Sequence, residues 1–397
     1  MEFKFSKKMT RPDFQGEFTA SILKAAASPE LISFAGGLPN PVSFPVEAMN
    51  AATNKVLSEN GVRALQYSNT QGYEPLRMWI AKRYETMGVY DVDADDIIIT
   101  NGSQQALTMV GAALVDPEDK IIVENPSYLV ALQAFHFFDP EVLTVDITPN
   151  GIDCDALEKT VRENPEAKFI YVIPNFQNPT GLSYSQEVHD RFVEIMKGTN
   201  IMVLEDNPYR ELRFAGTATN SFGAELGDQC CMLGTFSKIV TPGMRIGWIT
   251  VKNKELKAQL LNYKSTADLH TNIFSQMVIA EYLAANDVDE HIEKSKVLYK
   301  QKADYMVECM HKYLPEGLEF TPTQGGMFMW VKLPNGMKAV ELYRKALEKG
   351  VAICPGDPFY EHERDVSTFR LNYSNSTDEQ IDEGMKILGQ VCKEMLK

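Results

Sequence analysis

The segment around Lys238 has the residue types that covalent amine chemistry requires. Lys238 follows Thr235 and Ser237 directly after an apolar stretch, and Arg245 comes seven residues later. An amine at the end of a buried strand loses solvation, which lowers its pKa and favours imine formation with a carbonyl group. The two hydroxyls and the guanidinium could bind a phosphate beside it. Taken alone, the segment fits a surface lysine in a loop equally well.

A second polar segment, Gly102, Ser103 and Gln104, stands between a predicted strand and a predicted helix. The N–H groups at the start of a helix bind phosphate oxygens, although an Asn or Ser helix cap would have the same sequence. The spacing matches neither G-x-x-x-x-G-K-[ST] nor G-x-G-x-x-G. The sequence therefore predicts a phosphate contact here without a nucleoside triphosphate or dinucleotide motif.

Two further segments place polar residues after apolar stretches. Asn178 begins the segment Asn-Pro-Thr-Gly, and Asp206 and Tyr209 lie in Glu-Asp-Asn-Pro-Tyr. Ligands of open α/β sheets bind beyond the carboxyl ends of the strands, where Asp206 would lie. Each segment alone could be a turn or a cap. Their order, strand-end placement and complementary chemistry together predict one site.

Short apolar runs that alternate with amphipathic ones predict an α/β fold for the middle of the chain. The predicted strands are Ile97–Thr100, Ile121–Glu124, Leu143–Ile147, Phe169–Ile173, Met202–Glu205 and Met232–Thr235. The predicted helices are Gln104–Leu114, a segment after Tyr128, Leu157–Arg162 and Val188–Met196. Because the strands are apolar throughout, we expect a mainly parallel sheet covered by helices on both faces.

The last hundred residues predict a smaller α+β domain. A helical pattern without Gly or Pro runs from about His291 to Leu314 and would connect the two domains. The smaller domain would contain strands Met327–Lys332 and Phe369–Tyr373, helix Val340–Glu348 and a last helix capped by Thr377 and Gln380. We expect the N-terminal segment, up to about Pro45, to pack on it. The predicted domains are residues 46–290, and residues 1–45 together with 291–397.

Composition limits the possible partners and compartment. The 397 residues include 54 acidic and 39 basic side chains, a formal net charge of -15, which argues against a nucleic-acid or anionic-membrane binder. Six scattered cysteines without a C-x-x-C pair predict reduced thiols, and six dispersed histidines predict no metal site. The polar start and the lack of a long apolar run predict a soluble cytoplasmic protein.

The motifs together resemble a known enzyme family. NPTG, DNPY, TFSK with PGMRIGW, and FRLNY are similar to the class I/II aminotransferases, which have the aspartate aminotransferase fold and bind pyridoxal 5'-phosphate. FAGGLPNP, QYSNTQGYEPLR and PGDPF resemble the branch of 2-aminoadipate and kynurenine aminotransferases. The similarity extends from about Ile32 to the C-terminus.

The resemblance implies a role for each residue around the cofactor ring. Lys238 would form the internal aldimine and, once displaced by substrate, move a proton between Cα and C4′. Asp206 would pair with the pyridinium nitrogen and keep it protonated, so that the ring acts as an electron sink. Asn178 and Tyr209 would hydrogen-bond the phenolate oxygen, and Tyr128 would stack on the ring.

The resemblance also implies a phosphate site, a substrate site and a dimer. The phosphate contacts would be Gly102, Ser103, Gln104, Thr235, Ser237 and Arg245. Tyr67 resembles the tyrosine that reaches the phosphate from the neighbouring subunit, which implies a homodimer with shared active sites. Arg370 would hold the substrate α-carboxylate in a planar fork, and Gly37 and Leu38 would line the substrate pocket.

The implied reaction is the transfer of an amino group from an α-amino acid to a 2-oxo acid such as 2-oxoglutarate. A β-lyase or decarboxylase on the same fold would keep the same cofactor residues. MocR-type regulators carry this domain behind a DNA-binding domain, but the acidic charge and the start of the chain argue against that alternative.

One segment departs from the family pattern. Some members that accept acidic or bulky side chains carry an arginine in the N-terminal helix, whereas Thr19–Lys24 contains none. The departure argues against a preference for 2-aminoadipate unless Lys24 or Arg11 takes that place.

Overall fold

A computed structural model describes residues 3–321 and 323–396 of the chain. Its strands, in chain order, are β1 Ile32–Ser33, β2 Ile97–Thr100, β3 Lys120–Asn125, β4 Glu141–Thr148, β5 Gly151–Ile152, β6 Phe169–Val172, β7 Met202–Asp206, β8 Cys230–Thr235, β9 Gly247–Val251, β10 Glu319–Phe320, β11 Phe328–Lys332, β12 Val351–Ala352, β13 Cys354–Pro355 and β14 Thr368–Asn372. Its α-helices, in chain order, are α1 Phe14–Ala27, α2 Val46–Ala64, α3 Glu74–Arg83, α4 Ser103–Leu114, α5 Leu129–His136, α6 Cys154–Glu163, α7 Gln186–Met196, α8 Gly223–Leu226, α9 Lys254–Ala267, α10 Ile273–Ala285, α11 Val288–Tyr313, α12 Ala339–Glu348 and α13 Asp378–Met395.

The large sheet has the strand order β2-β9-β8-β7-β6-β3-β4-β5. Strands β4, β3, β6, β7 and β8 are parallel neighbours, as predicted for this part of the chain. Strand β9 is antiparallel to both β8 and β2, and the sequence analysis did not identify it. The outer strand β5 is antiparallel to β4. The predicted α/β class with a mainly parallel sheet is therefore confirmed.

The strands of this sheet are apolar because both faces are covered. In β2, Ile97 and Ile99 pack into one hydrophobic cluster and Ile98 packs into another on the opposite face. This alternation follows from the pleat of a strand, and it explains why the sequence shows an unbroken apolar run. The parallel strands then bring their carboxyl ends, with Asp206 and Thr235, to the same edge.

Gly247 allows β9 to approach the start of α4. A Cβ atom at residue 247 would lie 2.5 Å from the backbone nitrogen of Ser103, closer than a real side chain can come. The residue pairs with Thr235 on one side and Thr100 on the other. Glycine at this position therefore fixes the distance between the strand that follows Arg245 and the first turn of α4.

A smaller antiparallel sheet, in the order β10-β11-β14-β13, carries Arg370. Arg370 lies opposite Trp330 in β11 and Cys354 in β13. The predicted strands are all present here and in the large sheet, with bounds that differ by no more than two residues at either end. The last helix has the predicted capping box of Thr377 and Gln380.

Two helices begin three residues before their predicted starts, Leu157 and His291. In each case an aspartate that precedes the apolar face caps the helix. Asp153 accepts hydrogen bonds from two backbone N–H groups of α6, and Asp287 does the same for α11 at 3.0 Å. The predicted starts are wrong because the apolar pattern marks the buried face and the cap marks the first turn.

The N-terminal segment contacts both parts of the molecule. Ile32 in β1 pairs with Val351 in β12, next to the smaller sheet, as expected. Helix α1, however, places Ile22 in a cluster with Leu129 of α5, which belongs to the large sheet's helical layer. Helix α1 therefore packs on the helical layer of the large sheet as well as on the smaller domain. Within the described residues, no helix is both long and apolar enough to span a bilayer.

Candidate active site

All the predicted site residues except Tyr67 line one cavity of about 320 Å³. It lies where the carboxyl edge of the large sheet meets β11, β14 and α1. The predicted residues in its wall are Gly37, Leu38, Gly102, Ser103, Gln104, Tyr128, Asn178, Asp206, Tyr209, Thr235, Ser237, Lys238, Arg245 and Arg370. Tyr67 is 79% exposed and lies edge-on to the His270 ring at 6.0 Å between centroids.

Lys238 has a depressed pKa and a free path to the cavity. Burial, together with the positive charges of Arg370 and Arg245, lowers the pKa of its amine to about 8. The Nζ atom donates a hydrogen bond to the carbonyl oxygen of Gly37 at 2.8 Å. No carboxylate pairs with this amine among the described residues, so a nucleophilic neutral form is accessible near neutral pH.

Asp206 is a buried carboxylate with one oxygen unused. Its Oδ2 accepts a hydrogen bond from the Tyr171 hydroxyl at 2.8 Å, and its Oδ1 is buried without a hydrogen-bond partner in the described chain. Burial raises the pKa of Asp206, the hydrogen bond from Tyr171 lowers it and the neighbouring Glu205 carboxyl raises it, with a net value of about 7. A buried acceptor without a partner is costly, so this oxygen is suited to a cationic N–H donor from a ligand.

Arg370 is held rigidly at the other end of the cavity. It is 3% exposed, and its two terminal nitrogens donate to Asn178 Oδ1 at 2.7 Å and to the Ala35 carbonyl at 2.6 Å. Its guanidinium lies 4.1 Å from the centroid of the Phe328 ring and 5.0 Å from that of Phe359. No carboxylate of the described residues neutralises it, so the site can accept one from a substrate.

The start of α4 provides a cradle for an anion. Gly102 adopts a left-handed conformation with φ of 69°, and no side chain caps α4 among the described residues. A Cβ at Gly102 would lie 2.6 Å from Nη2 of Arg245, so glycine leaves room for the guanidinium. A plain Asn or Ser cap is therefore wrong here, and the open N–H groups of the first turn face the cavity with Ser103.

Hydroxyl groups complete this cradle from β8. The Thr235 hydroxyl donates to Ser237 Oγ at 2.9 Å and accepts the Ser237 backbone N–H at 3.1 Å. Arg245 also has a positive φ of 56°, and its Nη1 donates to the Pro242 carbonyl at 3.2 Å. The tight turn therefore directs the guanidinium back toward the hydroxyls and Gly102.

Two tyrosines flank Lys238 and Asp206. The Tyr209 ring is edge-on to Phe328 at 5.6 Å and lies 5.8 Å from the Lys238 Nζ. Burial raises the pKa of Tyr128 to about 12 and also raises the pKa of Tyr209. Both phenols therefore stay protonated at neutral pH and can donate hydrogen bonds.

Sequence reasoning missed the apolar part of the wall. Thr19 and Ile22 come from α1, Leu129 and Val130 from the first turn of α5, and Phe328 from β11. The apolar face of α1 could have signalled Ile22, but the position of Phe328 depends on how β11 pairs with β14, which a single sequence does not reveal.

The two proposed substitutes for the missing arginine lie outside this wall. Arg11 forms an ion pair with Asp139 at 2.5 Å, and Lys24 is exposed to solvent. Neither side chain lines the cavity, and the residues of α1 in its wall, Thr19 and Ile22, carry no charge.

Comparison with known proteins identifies the family. Residues 35–388 match the family of class I and II aminotransferases. The chain is 38% identical to an aromatic-amino-acid aminotransferase 1 of Thermococcus litoralis, over 95% of this chain and 91% of that one. It is also 38% identical to a 2-aminoadipate transaminase of Thermus thermophilus, over 96% of this chain and 95% of the relative.

A solved structure extends the comparison to the site. LysN, an alpha-aminoadipate aminotransferase of Thermus thermophilus complexed with N-(5'-phosphopyridoxyl)-L-leucine, superposes with a TM-score of 0.90 at 36% identity, over 99% of this chain and 98% of that one. The chain belongs to the class I and II aminotransferases. The predicted family, aminotransferase activity and pyridoxal-phosphate cofactor are thereby confirmed.

The cavity fits this cofactor on its own chemistry. The unpaired Asp206 Oδ1 matches a pyridinium N–H, and the cradle formed by Gly102, Ser103 and Arg245 matches a phosphate. Lys238 is an amine whose pKa is lowered to about 8, so that part of it is neutral and nucleophilic near neutral pH. The three features line one wall, so a single ligand can satisfy all of them.

The depressed pKa of Lys238 predicts how cofactor uptake depends on pH. Only the neutral amine attacks a carbonyl, so the rate of pyridoxal-phosphate uptake by cofactor-free protein should rise about tenfold per pH unit below pH 8 and level off above it. Stopped-flow absorbance measures this rate. Arg370→Ala should move the midpoint to higher pH, because the arginine lowers the pKa of Lys238. A rise that continues to the ordinary lysine value of 10.5 would contradict the prediction.

The raised pKa of Asp206 predicts that ionisation of its buried carboxyl destabilises the cofactor-free protein. The folded pKa of about 7 exceeds the ordinary value of 3.8, so stability falls as pH rises from about 4 through 7. Asp206→Asn removes this loss and should stabilise the cofactor-free protein at pH 8 by on the order of 2 to 4 kcal/mol. Denaturant unfolding at pH 5 and pH 8 tests this, and an advantage that does not grow with pH would refute it.

Proposed function

We propose that this aminotransferase takes the amino group of an α-amino acid with an apolar or aromatic side chain and passes it to a 2-oxo acid, with 2-oxoglutarate as the acceptor. The observation that carries the proposal is the cavity wall. It combines an amine of low pKa, a buried aspartate oxygen without a partner and a buried arginine without a carboxylate. The choice of 2-oxoglutarate rests on the family resemblance.

The residue roles follow from the contacts of the free site. When bound, pyridoxal phosphate supplies a carbonyl carbon and an electron-withdrawing ring that stabilises negative charge at the substrate Cα. Lys238 Nζ, released from Gly37, would act as the base that takes the proton from the substrate Cα and as the acid that gives it back to the cofactor. Asp206 Oδ1 would accept the ring N–H, and its buried negative charge would keep that proton in place.

Arg370 and Asn178 would orient the substrate. The guanidinium already has two fixed hydrogen bonds and is sandwiched near two aromatic rings, so little entropy is lost when it binds an α-carboxylate. Asn178 contacts both Arg370 and Tyr209, and the two side chains of Asn178 and Tyr209 would share the hydrogen bonds to the ring oxygen. Gly37 and Leu38 would cover the substrate from the other side.

The donor preference follows from one part of the cavity wall. Ile22, Leu38, Leu129 and Val130 make that wall apolar, and a second carboxylate would lose its solvation there without a cation. The aromatic name of one relative and the leucine adduct in the LysN structure support an apolar donor. The 2-aminoadipate name of another relative points to the acidic alternative.

The surface supports a homodimer with shared active sites. Val42, Val46, Val62 and Leu65 lie on or beside α2 with exposed fractions of 69% or more, and Tyr67 follows them. Exposed apolar side chains concentrated on one element mark an interaction surface, and a two-fold dimer would bury them in pairs. Tyr67 would then reach the phosphate of the neighbouring subunit.

Two further expectations complete the proposal. We infer two domains, residues 46–290, and 1–45 with 291–397, which is supported by the separate hydrophobic clusters that cover the large and small sheets. We also infer a cytoplasmic protein without nucleic-acid partners or membrane attachment. The six free thiols and the net charge of -15 support that inference.

The half-reaction provides the direct test of activity and donor class. Purified protein with bound pyridoxal phosphate is mixed with single amino acids in the absence of an acceptor, and its absorbance is followed. We expect leucine, phenylalanine and kynurenine to convert the cofactor to its pyridoxamine form at least about tenfold faster than 2-aminoadipate, since burying a second carboxylate is costly. Lys238→Ala is the control that should not convert.

The possible outcomes separate the parts of this proposal. Faster conversion by 2-aminoadipate would overturn the donor class but keep the activity. A cofactor band that no amino acid converts would point to a lyase or a regulator. An amino acid that loses its carboxylate would identify a decarboxylase, and one that loses part of its side chain would identify a lyase.

Mixing two inactive variants tests the shared site. In a Lys238→Ala and Tyr67→Ala mixture, a mixed dimer has one site with both residues intact and one site with neither. Random exchange should therefore restore about a quarter of the wild-type activity at limiting cofactor, because half of the dimers are mixed. Activity that stays at the sum of the separate variants would show that Tyr67 does not serve the neighbouring site.

A further inference from the structure

A buried carboxyl group lies behind the active-site wall and does not line the cavity. Glu124, near the end of β3, is 1% exposed. Its Oε1 lies 2.8 Å from the Tyr184 hydroxyl, and its Oε2 accepts from Gln177 Nε2 and from the Ile173 backbone N–H, each at 3.1 Å. No Lys, Arg or His side chain forms an ion pair with it in the described chain. Burying a carboxyl group without a cation is costly. Glu124 nevertheless lies at a point where its hydrogen bonds join β3 to Ile173, Gln177 and Tyr184.

Gln177 extends this contact to two loops of the site. Its Nε2 also donates to the Pro126 carbonyl at 2.8 Å, and its Oε1 accepts from the backbone N–H and hydroxyl of Thr180 at 3.0 and 2.8 Å. Pro126 lies two residues before Tyr128. Gln177 directly precedes Asn178. The side chains of Glu124 and Gln177 therefore connect the loop after β3 to the loop after β6.

The connection is maintained whether or not Glu124 carries a proton. Burial raises the pKa of Glu124 and outweighs the lowering by the hydrogen bonds from Tyr184 and Gln177, so that the pKa lies at about 8. When protonated, the carboxyl can donate through Oε1 to the Tyr184 hydroxyl and still accept at Oε2. Gln177 therefore has an acceptor at Oε2 in both states, and the contact does not depend on titration.

We propose that Glu124 and Gln177 are positioning residues that hold Tyr128 and Asn178 at a fixed separation and, through Asn178, hold Arg370. The inference rests on the proposed function, because it assigns these contacts to the cofactor ring and the substrate carboxylate. Arg370 Nη1 donates to Asn178 Oδ1 at 2.7 Å, so a shift of the loop after β6 moves the carboxylate-binding fork as well. One buried pair thereby sets the geometry at both ends of the cavity.

Two substitutions at Glu124 distinguish a role in positioning the two loops from a role in filling space in the core. Glu124→Leu removes the acceptor for Gln177 and for the Ile173 N–H while filling similar space. Glu124→Gln keeps an acceptor oxygen toward Gln177 and places an amide donor against the Tyr184 hydroxyl. We expect the leucine variant to lose about 10- to 100-fold in kcat/KM, with KM raised for every amino donor, and the glutamine variant to stay within about threefold of wild type.

A readout besides turnover reports the position of Asn178. Hydrogen bonds to the ring oxygen of bound pyridoxal phosphate favour its deprotonated form, so their loss should raise the pH midpoint of the cofactor's absorbance change. We expect Glu124→Leu and Gln177→Leu to raise this midpoint by at least about half a pH unit. Tyr184→Phe is the matched control, because it removes a buried hydrogen bond from Glu124 and leaves the link to Gln177 intact.

Each outcome supports or overturns the proposal. A raised midpoint and a raised KM in Glu124→Leu and Gln177→Leu, with both values near wild type in Glu124→Gln and Tyr184→Phe, would support it. Equal effects in Tyr184→Phe and Glu124→Leu, in step with a lower melting temperature, would assign the pair a structural role only. If Glu124→Leu does not fold, Gln177→Leu decides by the same midpoint. A wild-type protein without a cofactor band would instead overturn the proposed function, and this inference with it.

Discussion

The structure depends on gathering unequal charge around one small cavity. Lys238, Arg245 and Arg370 line the cavity, and Asp206 is the one carboxylate among its described lining residues. This excess of positive charge occurs in a protein whose formal net charge is -15. Charges without partners are expensive in a low-dielectric interior, so the free site is complementary to ligands that bring a phosphate, a carboxylate and a cationic ring nitrogen. Affinity for the cofactor and cost to the empty protein have the same origin.

The fold supplies this arrangement through rigid strands that fix the position of the site and through loops beyond the strand ends that carry the ligand-binding groups. Parallel strands β7 and β8 bring Asp206 and Thr235 to one edge, and their burial on both faces keeps them in place. The groups that bind ligand lie on the loops just beyond, where backbone N–H groups stay free. Glu124 shows that a polar side chain beneath those loops can join them. Rigidity therefore comes from hydrophobic packing, and precise placement comes from a few buried hydrogen bonds.

Much of this could be predicted from the sequence because the decisive signals are local. Motifs at strand ends, such as those of Lys238 and Asp206, carry their own chemistry, and apolar runs locate eight of the fourteen strands in the described part of the chain to within two residues. Long-range information was missing. The antiparallel placement of β9, the ring of Phe328 over Arg370 and the packing of α1 on both cores depend on pairings between distant segments. The caps of α6 and α11 were readable in Asp153 and Asp287, but the apolar period outweighed them.

Helix α1 contributes to the substrate-facing wall of the cavity but carries none of the residues proposed for the chemistry. It contributes Thr19 and Ile22 to the cavity, yet it is held at its start by surface contacts, including Asp13 with Gln133 at 2.7 Å. The residues of amine chemistry lie on other elements, within the sheet's loops. Sequence drift in this helix can therefore change the range of accepted amino acids while the chemical machinery is inherited intact. Proteins with this architecture can therefore acquire new substrates through substitutions in a helix of fourteen residues near the N-terminus.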